Sequence, residues 1–424
     1  MSDGASDGAS DGAMSDDEPL PLAGLVVLDI SSFIAGPAAA VALADFGADV
    51  IKIEPPGEGD PHRQNYKSPN YPHRDGPRRE NQVNFPWQLD GRLKRSLSLD
   101  LKNDDARSVL ERLLKRADVM IVNFPPPARE RLRLRWEDIE PINPRLVYCS
   151  LTGYGETGPD RDRPGFDITA YFGRSGILDA ARYEGGPPGI SLPAQGDRAT
   201  AMTLVAAILL GLRRRDRTGK GGWVGTSLYA NGVWANGTSA AGALVGAKLP
   251  ARRAPDKPRN ALTNLYRTRD DRWLQLLVVR DDRLWGTLCE AIGRPDLATD
   301  PRFTDREERK TRSLELVQEL MPVFASKTYA GWEAILSRTG IPFGVIGRVA
   351  DVITDEQAEH AGIFADTTNP EVPRTVNNPI RLGFARPRTS GPPPAVGEHN
   401  DAVLREAGFD DSEIAALKKS GALG

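Results

Sequence analysis

The stretch from Leu25 to Glu54 constrains the fold more than any other part of the chain. Leu25-Val26-Val27-Leu28-Asp29-Ile30 is a short apolar run, Ser31 to Pro37 a turn, Ala38 to Phe46 an alanine-rich segment, and Ala48 to Glu54 a second apolar run. Short continuous apolar runs bounded by turn residues read as buried strands. Pro37 suits the first position of a helix and Gly47 its C-terminal end, and the alanines between them let that helix lie close against a sheet. Strand, helix, strand in this order is a βαβ unit, which implies a parallel sheet. The pattern recurs: Arg95 to Leu101 alternates like a strand, Asn103 caps a helix through Ala117, and Asp118–Val122 and Arg145–Leu151 are further strands. The predicted class is α/β, with a large open parallel-sheet, Rossmann-like domain.

At 424 residues the chain exceeds a usual single domain, so two are expected. The N-terminal Ser-Asp-Gly-Ala repeats, residues 1–19, are acidic, lack an apolar core and read as a disordered tail, not a signal peptide. Residues 20–215 form the N-terminal part of the large domain, with 57–92 as a long loop and a helix over about 198–215. Residues 216–255 read as a connector. Residues 256–349 form a smaller α+β domain, with strands at 265–268 and 273–278 joined by Arg269-Asp270-Asp271 and helices at 283–292 and 313–325. Residues 350–424 return to complete the large domain, through a proline-rich tail (366–398) and a short helix (411–418).

A net charge of −3 and a pI near 6.0 argue against a nucleic-acid partner. The longest apolar stretch, Ala199 to Leu212, is too short to span a bilayer. Cys149 and Cys289 are the two cysteines, with no CxxC spacing, which argues against a disulfide framework and a cysteine zinc site and suits a reducing cytoplasm. The histidines are His62, His73, His360 and His399, so none stands between positions 74 and 359. That disfavours a Ser-His-Asp triad or a histidine metal site around the middle of the chain; no metal is expected.

Two aspartates carry the chemical signal. Asp197 follows Gly196 and precedes a helix-like stretch; Asp167 lies beyond the glycine-rich loop Thr152 to Pro159, at the end of a strand. In an open α/β sheet, ligands bind beyond the carboxyl ends of the strands, and paired acids suit nucleophilic or acid–base work. An aspartate before a helix is also a common N-cap, and on local pattern that reading accounts for each of them. The turn before Pro37 has a single glycine, Gly36, and lacks the GxGxxG fingerprint of a dinucleotide site.

Taken in order, the motifs resemble the class III CoA-transferases, the formyl-CoA and carnitine CoA-transferase type, to which α-methylacyl-CoA racemase is related. They are Pro21 to Asp29, Ala35-Gly36-Pro37, Leu43 to Glu54, Lys94 to Asp100, Ala117 to Phe124, Asn143 to Val147 and Thr218 to Gly221, spread over about residues 20 to 424. The resemblance implies an acyl-CoA:carboxylate CoA-transferase in which Asp197 is the nucleophile and carries an aspartyl-CoA thioester. It places Asp167 and Phe166 near the reacting acyl group. It also implies CoA contacts from Ser32, Phe33, Ile34, Ala35, Leu99, Lys102, Asn123, Phe124 and Arg131. The implied substrates are an acyl-CoA and a carboxylic acid, with no tightly bound cofactor, and the implied assembly is an interlocked homodimer. Phe166 stands where racemase relatives carry a histidine, which makes racemisation the alternative activity; a non-catalytic CoA-binding protein of the same fold is another. Pro55 replaces a basic CoA contact, and the stretch 251–262 is rich in arginine and proline where oxalate-specific relatives have a glycine-rich flap.

Overall fold

In a computed structural model the described residues are 19–68, 83–189, 191–278 and 281–424. They form two compact units: the described parts of Met1–Leu178, Ile190–Val245 and Glu359–Gly424 make one, and those of Asp179–Gly189 and Gly246–Ala358 the other.

The first unit is built on strands β1 (Val26–Ile30), β2 (Asp49–Glu54), β3 (Lys94–Ser98), β4 (Val119–Val122), β5 (Val147–Thr152) and β6 (Gly222–Ser227). All pairings are parallel, in the order β3-β2-β1-β4-β5-β6. This is the doubly wound arrangement that the βαβ pattern predicts. Helix α1 (Ala35–Ala44) is buried along its whole length, as expected of a helix that is apolar all round. Its alanines pack with Val27, Val50 and Ile121 of the sheet and with Leu204, Val205 and Ile208 of a second helix. On the opposite face, the apolar stripe Val109, Leu110, Leu113 and Leu114 of α3 (Ala106–Arg116) joins Leu28, Met120 and Tyr148. Val403, Leu404, Ile414 and Leu417, on the C-terminal helices at Asn400–Glu406 and Asp411–Lys419, close that same layer. Each fully buried aliphatic of this kind contributes about 1.5–3 kcal/mol.

Several boundaries differ from expectation for identifiable reasons. Helix α1 starts two residues before Pro37, which costs little because first-turn N–H groups have no intrahelical partner. The expected loop 57–92 contains a 3₁₀ turn (Pro61–Lys67) and helix α2 (Phe85–Gly91); its part at 69–82 lies outside the described residues. Two short helices, α4 (Pro126–Arg131) and α5 (Trp136–Ile139), follow β4. After β5 come a π-helical segment (Asp167–Arg174) and α6 (Ile177–Ala181). The long helix α7 spans Gln195–Thr218, longer at both ends than expected, and stops at Gly219 with φ +72°, whose N–H bonds Arg215 O. Residues 222–227, read as connector, are strand β6, followed by α8 (Leu228–Ala235) and α9 (Gly237–Leu244). Gly221 and Gly225 concealed the strand. A Cβ on Gly221 would lie 2.0 Å from Leu146 O, and one on Gly225 2.6 Å from Ser150 O, so close approach to β5 selects glycine.

The second unit has an antiparallel sheet of β7 (Thr263–Arg267), β8 (Trp273–Leu277) and β9 (Phe343–Val345), in that order. Tyr266, Leu274 and Leu276 pack against Phe324 and Trp332 of the helices Ser313–Phe324 and Tyr329–Leu336. Back in the first unit, β10 (Phe364–Asp366) and β11 (Arg374–Val376) form a small antiparallel pair. No helix among the described residues is long and apolar enough to cross a membrane.

Candidate active site

The strand order reverses between β1 and β4, and in a sheet of this kind a ligand crevice opens beyond the carboxyl ends of the strands at that point. The chain ties this point together. Ser32 N–H donates to Asn123 Oδ1 at 2.9 Å, and Asn123 Nδ2 returns a hydrogen bond to Ser32 O at 2.7 Å. Phe33 has φ +63°, the left-handed region that non-glycine residues rarely enter. Its N–H donates to Asp60 Oδ1 at 3.0 Å. Beneath it, Lys52 Nζ lies 2.7 Å from Asp60 Oδ2, and Lys94 Nζ 2.8 Å from Asp29 Oδ2. Burial opposes the charge on Asp29, but Lys52 and Lys94 outweigh it and hold that carboxyl below the usual range. The backbone of the first turn is thus set by buried, paired charges rather than by a glycine fingerprint.

A cleft of about 320 Å³ runs along this edge, lined by Ser32, Pro55, Leu99, Lys102 and Phe124 among others. A neighbouring cavity of about 350 Å³ shares Lys102 and adds Arg131, Arg107 and Arg133. Ser32, Leu99, Lys102 and Phe124 thus line one cleft, and Arg131 lines the neighbouring cavity, with Lys102 common to both. Ile34 and Ala35 are buried at the start of α1 and line neither cavity. Arg107 was not singled out by sequence reasoning, since an isolated arginine on a helix carries no motif.

The two aspartates converge at the start of α7. Neither is an N-cap: Ala194 occupies that position for α7, and Phe166 for the π-helical segment. Ala194 has φ +71°, so the chain enters α7 through strained backbone. A Cβ on Gly196 would meet the Tyr171 ring at 2.7 Å, which is why a glycine stands there. Asp167 is buried; its Oδ1 accepts the Ile168 N–H at 2.7 Å, and its Oδ2 has no hydrogen-bond partner among the described residues. Burial raises the Asp167 carboxyl, against the backbone N–H groups of Ile168, Gly196 and Ala194. Asp197, in the first turn of α7, is pushed up to about 7, first by burial, then by the charge of Asp167; Arg198 opposes this and Asp90 adds to it. Among the described residues no hydrogen bond occupies the Asp197 carboxylate. Phe166, 58% exposed, meets the Phe33 ring edge-on at 5.9 Å, linking the acid pair to the first βα turn.

The model of CoA-transferase family III matches residues 22–400. The chain is 32% identical over 406 residues to (R)-2-hydroxy-4-methylpentanoate CoA-transferase of Clostridioides difficile, covering 94% of this chain and 98% of that protein. It is 30% identical over 410 residues to succinyl-CoA:glutarate CoA-transferase of Mus musculus, covering 96% and 91%. The crystal structure of a CaiB/BaiF family protein from Brucella suis superposes with a TM-score of 0.81 at 30% identity, covering 92% of this chain and all of that one. A match of this extent, in sequence and in backbone alike, makes the chain a CoA-transferase enzyme belonging to CoA-transferase family III.

Proposed function

We propose that the protein transfers CoA from an acyl-CoA to a carboxylic acid through an aspartyl-CoA thioester on Asp197. The observation that carries this reading is the position of that carboxylate: half-buried, in the first turn of α7, with no hydrogen bond among the described residues and close to neutrality in its proton affinity. In the first step an Asp197 oxygen attacks the thioester carbonyl, forming a mixed anhydride and expelling the CoA thiolate. The thiolate then attacks the Asp197 carbonyl, which frees the donor acid as its carboxylate and leaves CoA on the enzyme. The acceptor carboxylate attacks this thioester, again releasing thiolate and forming a second anhydride. Attack of the thiolate on the acceptor's carbonyl gives the new acyl-CoA and restores Asp197. Anhydride and thioester have comparable acyl-transfer potential, so every step is reversible.

CoA lies along the carboxyl edge of the sheet in this reading. Phe33, Leu99 and Phe124 give apolar surface, Ser32 and Asn123 shape the turn, and Lys102 with Arg131 meets phosphates. Asp167 and Phe166 flank the acyl group. Two copies of the chain form the working enzyme, since Trp234 near the end of α8, Leu244 at the end of α9 and Val245 just after it are 83–88% exposed.

Replacing Asp197 with alanine is expected to abolish CoA transfer, a loss of at least about 10³-fold, while CoA binding and folding persist. Unchanged turnover in that variant would overturn the nucleophile assignment. Incubation with acetyl-, succinyl- and 2-hydroxyacyl-CoA, borohydride or hydroxylamine trapping and peptide mass spectrometry are expected to find the modification on Asp197. Uptake of deuterium at the acyl α-carbon without CoA exchange would favour a racemase instead.

A further inference from the structure

Arg198 follows Asp197 directly in the first turn of α7, where successive side chains diverge by about 100°. An arginine beside a reactive carboxylate has a competing use: its planar fork fits a carboxylate in a bidentate pair. Closing on Asp197, it would cover the oxygens that must attack. Here the fork is taken by Asp90, near the end of α2 and 108 positions earlier in the chain. Arg198 Nη2 donates to Asp90 Oδ2 at 2.8 Å, and Nη1 donates to Oδ1. Asp90 is fully buried and has a second partner, His62, whose Nε2 lies 2.7 Å from Oδ2. Asn65 Nδ2 donates to His62 Nδ1 at 2.7 Å, which leaves the ring proton on Nε2 to donate to Asp90. Burial opposes the charge on Asp90, but Arg198 and His62 outweigh it and hold its carboxyl far below the usual range. The acceptor of the Arg198 fork is therefore always ionised in the working pH range.

Among the described residues, the charges facing Asp197 come from three elements: Asp167 on the π-helical segment and Asp90 on α2, both negative, and Arg198 on α7, positive. Tyr171, against Gly196, is the neutral titratable group beside them. We propose that Asn65, His62 and Asp90 hold the Arg198 guanidinium off the Asp197 carboxylate, near enough to favour its charge yet unable to pair with it. Arg198 is thereby a positioning residue for the nucleophile. This rests on Asp197 being the nucleophile.

The two ends of the chain of contacts have opposite signatures. Arg198→Gln removes the favourable charge, so the acid limb of the pH profile for Asp197 labelling moves up by about one unit. Asp90→Asn removes a like charge and frees the fork to close on Asp197. Its limb moves down, and its limiting labelling rate falls about tenfold or more. Arg198→Lys keeps the charge and leaves the limb where it was. The measurement is rapid-quench labelling of the full-length protein from pH 5 to 9, with the acyl-CoA of the panel above that labels Asp197 fastest and with melting curves for each variant. Arg198 is partly exposed, so its two variants decide the matter even where Asp90→Asn fails to fold. Label on Asp197 with the same limb in Arg198→Gln as in the wild type would overturn the positioning role alone. Label on a different residue would overturn the nucleophile reading with it.

Discussion

At the scale of the residue, Asp197 shows how one side chain is prepared by its surroundings. A carboxyl raised from 3.8 to about 7 keeps its proton in the folded protein through a range where the unfolded chain has lost it. The folded state therefore binds more protons between these two values, and stability declines as pH rises through that window. Asp197→Asn, which has the shape of the protonated acid, is expected to be more stable than the wild type at pH 8 by about 1–2 kcal/mol. That is less than the full shift would give, because water reaches the carboxyl. The gap closes as pH falls toward 4, and chemical denaturation at several pH values measures it. Asp197 and Asp167 were both visible in the sequence as acids next to glycine turns. Asp90, His62 and Arg198 were not visible as a group, because nothing in a linear chain announces that positions 62, 90 and 198 touch.

At the scale of the element, the start of α7 is the critical construction. Its entry through Ala194 in the left-handed region and the contact of Gly196 with the Tyr171 ring together aim the first turn at Asp167. Gly196→Ala is expected to push the helix start away from Tyr171, costing about 1–3 kcal/mol in a urea melt and slowing Asp197 labelling. Elements with strong local patterns were legible beforehand. The β1–α1–β2 unit follows from apolar runs and alanines; the helix expected from Asn103 through Ala117 is present as Ala106–Arg116, with Asp105 and not Asn103 in the cap position. Strand β6 was not legible, because the glycines that allow it to approach β5 are the same residues that mark a loop elsewhere. The cap reading of the two aspartates was also local, and it failed because Ala194 and Phe166 take those positions.

At the scale of the whole molecule, a parallel sheet whose order turns between β1 and β4 brings Ser32 and Asn123, 91 positions apart, to one crevice. Sedimentation is expected to give twice the 46.1 kDa of one chain, and Trp234→Glu to shift the population to the single-chain mass. A wild type that sediments at 46.1 kDa would remove the dimer from the proposed function. The amino-acid sequence by itself determined the α/β class, the parallel sheet and the motifs that resemble the CoA-transferases, because each is written in residues close together along the chain. Only the tertiary structure decided which acids meet, that Arg198 is held by Asp90, and that Lys52 and Asp60 support Phe33. Those are interactions of charge over a few ångströms, and distance in space is set by how the strands order themselves, not by separation along the chain.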